Sequence, residues 1–268
     1  MNRKAVAIAG ARGKMGQTII NLLVDDRELE LAMAFERADH PDIGKEVIPG
    51  VKISPSPQRL DVHVDVLIDF TYADAALANL AWAKSVKAAA VIGTTGFSLE
   101  QRQEIEAISR EIPVLLSPNM ALGVNMMMEI VRYAASLLGP EYEVEIIETH
   151  HHSKKDAPSG TALALGDVIC KVRGKNRQDT FRFGRSGKVG ARTKEEIGFH
   201  SVRIGEIVGE HSVLFGASGE MLEITHRCYS RESFARGALE AAKFIIGRPP
   251  SLYGMEAVIR HLMETMHS

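Results

Sequence analysis

Cysteine is scarce: Cys170 and Cys228 stand 58 residues apart with no CxxC spacing. That excludes a disulfide framework and a Cys-based zinc site and fits thiols in a reducing compartment. Long apolar runs are also missing, since charge interrupts each one before the ~20 residues a membrane helix needs. Met1–Gly10 places basic residues ahead of an apolar run, but Arg12 and Lys14 follow too early for a secretory h-region. A cytoplasmic location and no membrane partner are therefore expected. Net charge is nearly absent as well: 32 Lys and Arg against 34 Asp and Glu give −2. This argues against a surface built for nucleic acid. The near-neutral total conceals a segregation, however. Lys171–Lys194 carries nine basic residues and one acid, Asp179, so a +8 stretch is set against −10 on the other 244 residues. Such a stretch calls for acids to pair with, at the site of an anionic ligand or, by preference, across a subunit interface.

What remains is the composition of a globular enzyme, 268 residues with 45% hydrophobic and 25% charged, enough for one large domain or two modest ones. Over the first 120 residues, short apolar runs alternate with helical patterns. Ala5–Ala9, Leu29–Phe35, Val64–Phe70, Ala88–Ile92 and Pro113–Leu116 read as strands. Between them lie a helix with Ile19, Ile20, Leu22 and Leu23 inward, the Ala-rich Ala73–Ser85, and a helix that Ser98 caps. Strands alternating with helices imply a parallel sheet covered on both faces. The pattern then changes. Val124–Leu138 and Gly160–Val172 read as helices, while Glu143–Thr149, His200–Ile204, His211–Phe215 and Met221–Arg227 read as strands of a second, mixed sheet. Arg231–Ile246 and Met255–Met263 are helical and expected to return to the first domain. Met126, Met127 and Met128 are assigned to core packing.

Gly10-Ala11-Arg12-Gly13-Lys14-Met15-Gly16 follows the first strand and opens a helix. Glycines there permit a tight turn and let backbone approach a pyrophosphate, whose charge the helix N-terminus favours. The spacing is GxxGxxG, a partial match to the common dinucleotide fingerprint. Glu36, at the end of the second strand and 20 residues past Gly16, suits the hydroxyls of an adenosine ribose. Together these features point to a Rossmann-type sheet. Glu36 favours the free 2′-hydroxyl of NADH, whereas Arg37, with Lys14 or Arg12, suits the 2′-phosphate of NADPH. Acid beside base predicts use of both cofactors. Gly93-Thr94-Thr95 ends the fourth strand, at the edge where such sheets bind ligands; it suits the border of a nicotinamide and, equally, a plain capped turn.

Glu148-Thr149-His150-His151-His152-Ser153-Lys154 carries the densest chemistry. Adjacent residues on extended chain point to opposite faces, so three consecutive histidines do not share one ion, and no metal is expected. Imidazole titrates near neutrality, and an ammonium four residues on supplies charge or a proton, so an acid–base role fits better. Downstream, Ser159 can cap a helix whose opening residues, Gly160 and Thr161, form an anion site. A protonating pair beside a carboxylate cradle describes a site for an acidic small molecule reduced at C=C or C=N. An amino-acid dehydrogenase on the same fold lacks the combination of Lys154 with Ser159-Gly160-Thr161. A nucleotide-sensing regulator would not need His150 and Lys154.

The chain resembles the dihydrodipicolinate reductase family over nearly its whole length. The resemblance is carried by Gly10-x-x-Gly13-Lys14-Met15-Gly16, Phe35-Glu36-Arg37, Asp69-Phe70-Thr71, Gly93-Thr94-Thr95-Gly96 and Ser117-Pro118-Asn119-Met120. It continues through Glu148-x-His150-His151-x-x-Lys154-x-Asp156-Ala157-Pro158-Ser159-Gly160-Thr161-Ala162, Gly209-Glu210-His211, Glu223–Arg227 and Phe234-Ala235-x-Gly237-Ala238. It implies NADH- or NADPH-dependent reduction of 4-hydroxy-tetrahydrodipicolinate in the diaminopimelate route to lysine. His150 is then the principal acid–base residue and Lys154 the proton donor. His151, Ser159, Gly160 and Thr161 bind substrate. Gly10, Ala11, Arg12, Gly13, Lys14, Met15 and Glu36 hold the dinucleotide, Arg37 serves a 2′-phosphate, and Gly93–Thr95 with Ser117, Pro118, Asn119 and Met120 line the nicotinamide side. Lys14 and Tyr72 stand where relatives carry Arg, which argues against strict NADPH preference. The fold implied is α/β: a Rossmann-type parallel sheet from residues 1–121 and 231–268, and a second α+β domain on a mixed sheet, 122–230, for substrate binding and assembly into a homotetramer.

Overall fold

The computed structural model describes residues 3–55 and 62–265. Along the chain run β1 (Lys4–Ala9), α1 (Lys14–Leu23), β2 (Leu29–Phe35), β3 (Glu46–Ile48), β4 (Val51–Ser54), β5 (Val66–Asp69), α2 (Ala73–Ser85), β6 (Ala89–Ile92), α3 (Leu99–Ser109) and β7 (Pro113–Leu116). Then come α4 (Leu122–Leu138), β8 (Glu143–His150), α5 (Gly160–Arg173), α6 (Arg177–Thr180), β9 (Phe181–Phe183), β10 (Ile197–Arg203), β11 (Gly209–Ala217) and β12 (Glu220–Cys228). The chain closes with α7 (Glu232–Ile245), β13 (Ser251–Tyr253) and α8 (Met255–Thr265). Two compact units result: Met1–Leu122 with Glu232–Ser268, and Gly123–Arg231.

The first unit is built on an eight-stranded sheet in the order β13-β7-β6-β5-β1-β2-β4-β3. All its pairings are parallel except β3 with β4. Residues alternate faces along each strand. Val6, Ile8, Val66 and Ile68 accordingly pack with Ile19, Ile20, Ala238 and Val258 on one face. Ala7, Ala9, Leu67 and Phe35 pack with Leu80, Trp82 and Ile105 on the other. Both faces are covered, as the uninterrupted apolar strands require. The C-terminal helices α7 and α8 pack in this unit, on the α1 face. Ser98 caps α3 through a capping box: its hydroxyl accepts from the Gln101 amide, and the Gln101 side chain accepts from the Ser98 amide.

The second unit carries a mixed five-stranded sheet, β12-β11-β8-β10-β9. Alternation along β8 sends Val144 and Ile146 to the face under α4 and α5, where they meet Val131, Leu165, Ile169 and Phe215. Burial of each such side chain contributes about 1.5–3 kcal/mol. Met127 lies in this core, but Met126 is exposed; the three consecutive methionines span 200° of helix, too wide for one buried stripe.

Several basic residues of the Lys171–Lys194 stretch pair with acids inside the same unit. Arg185 and Arg192 converge on Glu145, and Arg185 also reaches Glu196. Lys175 pairs with Glu195, Arg177 with Asp167 and Lys194 with Glu141. Charges that are contiguous in sequence are thus distributed over β8, α5 and the segment before β10. Among the described residues, no helix is long and apolar enough to cross a membrane.

One contact fixes how α7 meets the segment after β7. A Cβ on Gly237 would stand 1.7 Å from the Met120 carbonyl oxygen, a backbone atom that cannot swing aside. Gly237→Ala should therefore cost about 1–3 kcal/mol, as overpacking generally does. Gly216→Ala, where no atom lies within 4 Å, should stay within about 0.5 kcal/mol of the parent. Denaturant midpoints of the two variants would decide this; equal midpoints would contradict the packing argument.

Candidate active site

Parallel strands place their carboxyl ends on one edge, so the segments after β1, β2, β5, β6 and β7 come together along the first unit's sheet. After β1, Gly10 has φ of +78°, and a Cβ on Gly16 would stand 2.1 Å from the Gly10 carbonyl oxygen. The amides of Gly10 and Ala11 donate to the Phe35 carbonyl and that of Gly13 to Gly10. No side chain caps α1 at Gly13, so its first-turn amides, beginning at Lys14 and Met15, present the positive end of the helix dipole.

Glu36 follows β2 and is held by two amides: Arg12 N–H donates to Oε1 at 2.9 Å and Arg37 N–H to Oε2 at 3.2 Å. Its own amide donates to the Ser54 carbonyl on β4, a strand not anticipated from sequence. The alternating Val51-Lys52-Ile53-Ser54 after Gly50 is a short signal for it. Gly10, Gly13, Glu36 and Arg37 line a cavity of about 410 Å³, together with Phe70, Thr71, Tyr72 and Asn79. The nearby cations carry acid partners: Arg12 lies 2.9 Å from Asp42, and exposed Arg37 lies 3.3 Å from Asp39.

A buried carboxylate that had no assigned role organises this edge. Asp69 Oδ1 accepts from the Thr71 amide at 3.0 Å, the Thr71 hydroxyl at 2.8 Å and the Thr94 hydroxyl at 2.7 Å; its Oδ2 accepts from Asn79 at 2.7 Å. It thereby ties the β5 end, α2 and Gly93-Thr94-Thr95 together. Ser117, Pro118 and Asn119 form a turn in which the Ser117 hydroxyl donates to the Asn119 carbonyl and the Asn119 side chain accepts from the Ala121 amide. The Met120 side chain points into the core, and its carbonyl packs against Gly237 of α7.

In the second unit the three histidines separate because β8 ends at His150 and the chain turns at His152 and Ser153. His150 is the last residue of β8 and is buried. His151 is half-buried, its Nδ1 2.8 Å from the Ser153 hydroxyl, and exposed His152 has Nδ1 3.0 Å from the Gly205 carbonyl. Lys154 forms a 2.8 Å pair with Asp156. Ser159 caps α5 by accepting from the Ala162 amide; its hydroxyl lies 2.9 Å from His211 Nε2 and the residue is buried. Gly160 and Thr161 form the outward first turn.

Three residues without an assigned role complete the cluster. Glu148, on β8 two residues before His150 and so on the same face, is buried. His150 Nδ1 lies 2.5 Å from its Oε2, the Ser159 amide donates to Oε1 at 3.1 Å, and Arg203 from β10 donates through both guanidinium nitrogens at 2.9 and 2.8 Å. Burial pushes the Glu148 carboxyl up, but the Arg203 fork and its other donors outweigh it and bring the pKa down to about 2. Burial lowers His150; Glu148 opposes that shift, and the charges of Lys154 and Arg203 reinforce it. His211, edge-to-face with His150 at 5.2 Å, is pushed down to about 4 by burial, with His150 adding to the effect. Near neutral pH this is an ionised carboxylate beside two neutral imidazoles, next to a lysine and a helix N-terminus. Such a group can hold an anion and exchange a proton.

Sequence comparison agrees with this composition of parts. The profile described as dihydrodipicolinate reductase, N-terminus, matches residues 4–120, and that described as dihydrodipicolinate reductase, C-terminus, matches 123–259. A 4-hydroxy-tetrahydrodipicolinate reductase of Syntrophobacter fumaroxidans is 44% identical over 260 residues, covering 94% of this chain and 97% of the relative. One from Geotalea daltonii is 42% identical over 261 residues, covering 95% and 98%. The dipicolinate-bound dihydrodipicolinate reductase from Paenisporosarcina sp. TG-14 superposes with a TM-score of 0.79 at 29% identity, over 95% of this chain and 99% of that one. With both halves of the family's sequence pattern matched along one chain, the protein belongs to the dihydrodipicolinate reductase family.

Proposed function

We propose that the protein converts 4-hydroxy-tetrahydrodipicolinate to tetrahydrodipicolinate, with a hydride from NADH or NADPH and a proton added and the 4-hydroxyl lost as water, a step of the diaminopimelate route to lysine. The observation that carries this reading is the second unit's cluster: a buried imidazole on a carboxylate, with Lys154 and an outward helix start in the same segment. The relative from Paenisporosarcina has dipicolinate bound, a dicarboxylate of the class such a cluster suits.

The first unit's edge fits a dinucleotide. The Gly10–Met15 turn and the uncapped first turn of α1 suit a pyrophosphate, and Glu36 has lone pairs left for ribose hydroxyls after accepting from two amides. Thr94, fixed on Asp69, and the Ser117–Met120 turn define the nicotinamide side. When bound, the nicotinamide supplies the hydride. Exposed Arg37 suits a 2′-phosphate, while Glu36 suits the free hydroxyl, so both cofactors are served.

The chain's own residues then handle charge and protons. Gly160 and Thr161, at the positive end of α5, bind a substrate carboxylate; Ser159 caps that turn from beneath. His151 contacts substrate. His150 exchanges a proton, and Lys154 delivers one to the atom left electron-rich after reduction. The five-stranded sheet turns Glu145 and Ile147 away from α4 and α5, and this face supports assembly into a homotetramer.

His150→Ala and Lys154→Ala should each lower turnover at least ~100-fold, since positioned acid–base groups contribute ~10²–10⁴. The assay follows NADH and NADPH absorbance with freshly generated substrate, and parental turnover in both variants would overturn the assignment. In the same assay Arg37→Ala should raise KM for NADPH at least about 10-fold, the size of a lost charge-assisted hydrogen bond, while KM for NADH stays close to the parent's. Equal effects on the two cofactors would remove Arg37 from the phosphate role.

A further inference from the structure

We infer that Glu148 is the positioning residue of this site: it fixes the tautomer of His150 and ties that ring to the first turn of α5. The inference rests on the reading of His150 as the acid–base group, and extends it to the atom that exchanges the proton.

An ionised carboxylate only accepts hydrogen bonds, so every atom on Glu148 must be a donor. The Ser159 amide and the two terminal guanidinium nitrogens of Arg203 are donors in any state, and the Ser201 hydroxyl donates to it as well. His150 Nδ1 at 2.5 Å must likewise carry its proton, whether the ring is neutral or charged. Nε2 is left as the nitrogen that gains and loses a proton. It faces Gly209, where an added Cβ would come within 3.0 Å of it, so the absence of a side chain there keeps this side of the ring clear.

The same carboxylate spans the two chemical parts of the cluster. Oε2 accepts from the imidazole and Oε1 from the amide of the α5 cap, so a carboxylate about 2.2 Å across its oxygens sets the ring relative to the helix start. Arg203 bonds both oxygens and also the Asp156 carbonyl, which stops the carboxylate from rotating and anchors the segment between Lys154 and Ser159. The charged and titratable groups facing His150 are Glu148 on its own strand, Lys154 beyond that strand's end, Arg203 on β10 and His211 on β11. Of these only Glu148 favours the imidazolium. Without its charge, burial and the two cations act unopposed, and the ring's pKa falls.

Glu148→Gln retains shape but removes the charge, and its amide lets either tautomer bind. The expected result is a fall in kcat of at least about 10-fold, the direction seen where an imidazole loses its tautomer control, with KM for substrate within about threefold of the parent's. The pH limb that His150→Gln abolishes should move to lower pH by about one unit or more in Glu148→Gln. Glu148→Asp, which keeps the charge, should recover the position of that limb. If His150→Gln is impaired while Glu148→Gln keeps the parent's kcat and limb, the positioning role fails and the acid–base reading survives. If His150→Gln is itself unimpaired, the reading beneath it fails. A measurement on the unaltered protein covers a variant that does not fold: the ring ¹⁵N shifts that disappear in His150→Gln should report Nδ1–H in the neutral ring. A neutral ring protonated on Nε2 would overturn the proposal.

Discussion

Asp69 and Glu148 are both withdrawn from water, and a carboxylate so placed is tolerated only when donors fill its lone pairs. In each unit those donors come from the site itself. Asp69 takes the Thr71 amide and hydroxyl, the Thr94 hydroxyl and the Asn79 amide group, which together join three segments at the carboxyl edge of the parallel sheet. Glu148 takes an imidazole, the amide of a helix cap and a guanidinium fork. A loop that supplies a donor to such a group cannot leave without abandoning a buried charge. The groups proposed to meet ligands are therefore held by a requirement of folding.

The two units gather their groups through different geometry. The eight-stranded sheet gathers its loops because every strand from β7 to β2 runs the same way, and both faces of the sheet are buried. The groups proposed there for the dinucleotide are a glycine turn, an uncapped helix start and the Glu36 carboxylate held by two amides. The five-stranded sheet instead uses side-chain register. β8 lies between β10 and β11, pairing Glu148 with Ser201 and with His211, while Arg203 stands opposite His150. Residues two apart on β8 share a face, so Glu148 and His150 meet without any loop rearrangement.

Most of the first unit was legible because its strands are short, wholly apolar and separated by glycine or proline turns. β2, α2 and β7 fall on the anticipated residues. β3, β4, β9 and β13 were not anticipated: each has only three or four residues and, unlike the apolar β7, a charged or polar residue among them. The residue types of the candidate site were legible for a similar reason: His150, Lys154 and Ser159 through Thr161 lie within one short segment. What sequence withheld was partnership across distance. Arg203 is 55 positions from Glu148 and becomes its counterion only through the β8–β10 pairing. Partners of the +8 stretch were hidden in the same way, because Glu141, Glu145 and Glu196 reach it from outside its own acid count.

Stability alone does not account for the Glu148–Arg203 pair. Desolvation of two such charges costs several kcal/mol per ion, and their attraction returns about that much when geometry is good. An apolar pair of similar volume would cover β8 as well. What an apolar pair lacks is an acceptor that is permanently ionised, fixed in orientation by two parallel bonds, and able to bind an N–H on each oxygen. The imidazole then pays no reorganisation cost for its hydrogen bond when its charge changes, because the dipoles and charges around it are already in place. The cation that would make the ring harder to protonate is the one that holds the anion favouring protonation, so Arg203 acts on His150 in opposite senses directly and through Glu148. The indirect effect passes through the 2.5 Å contact between Glu148 and the ring, so the imidazole that burial makes hard to protonate has the one charge that favours its protonation in direct contact.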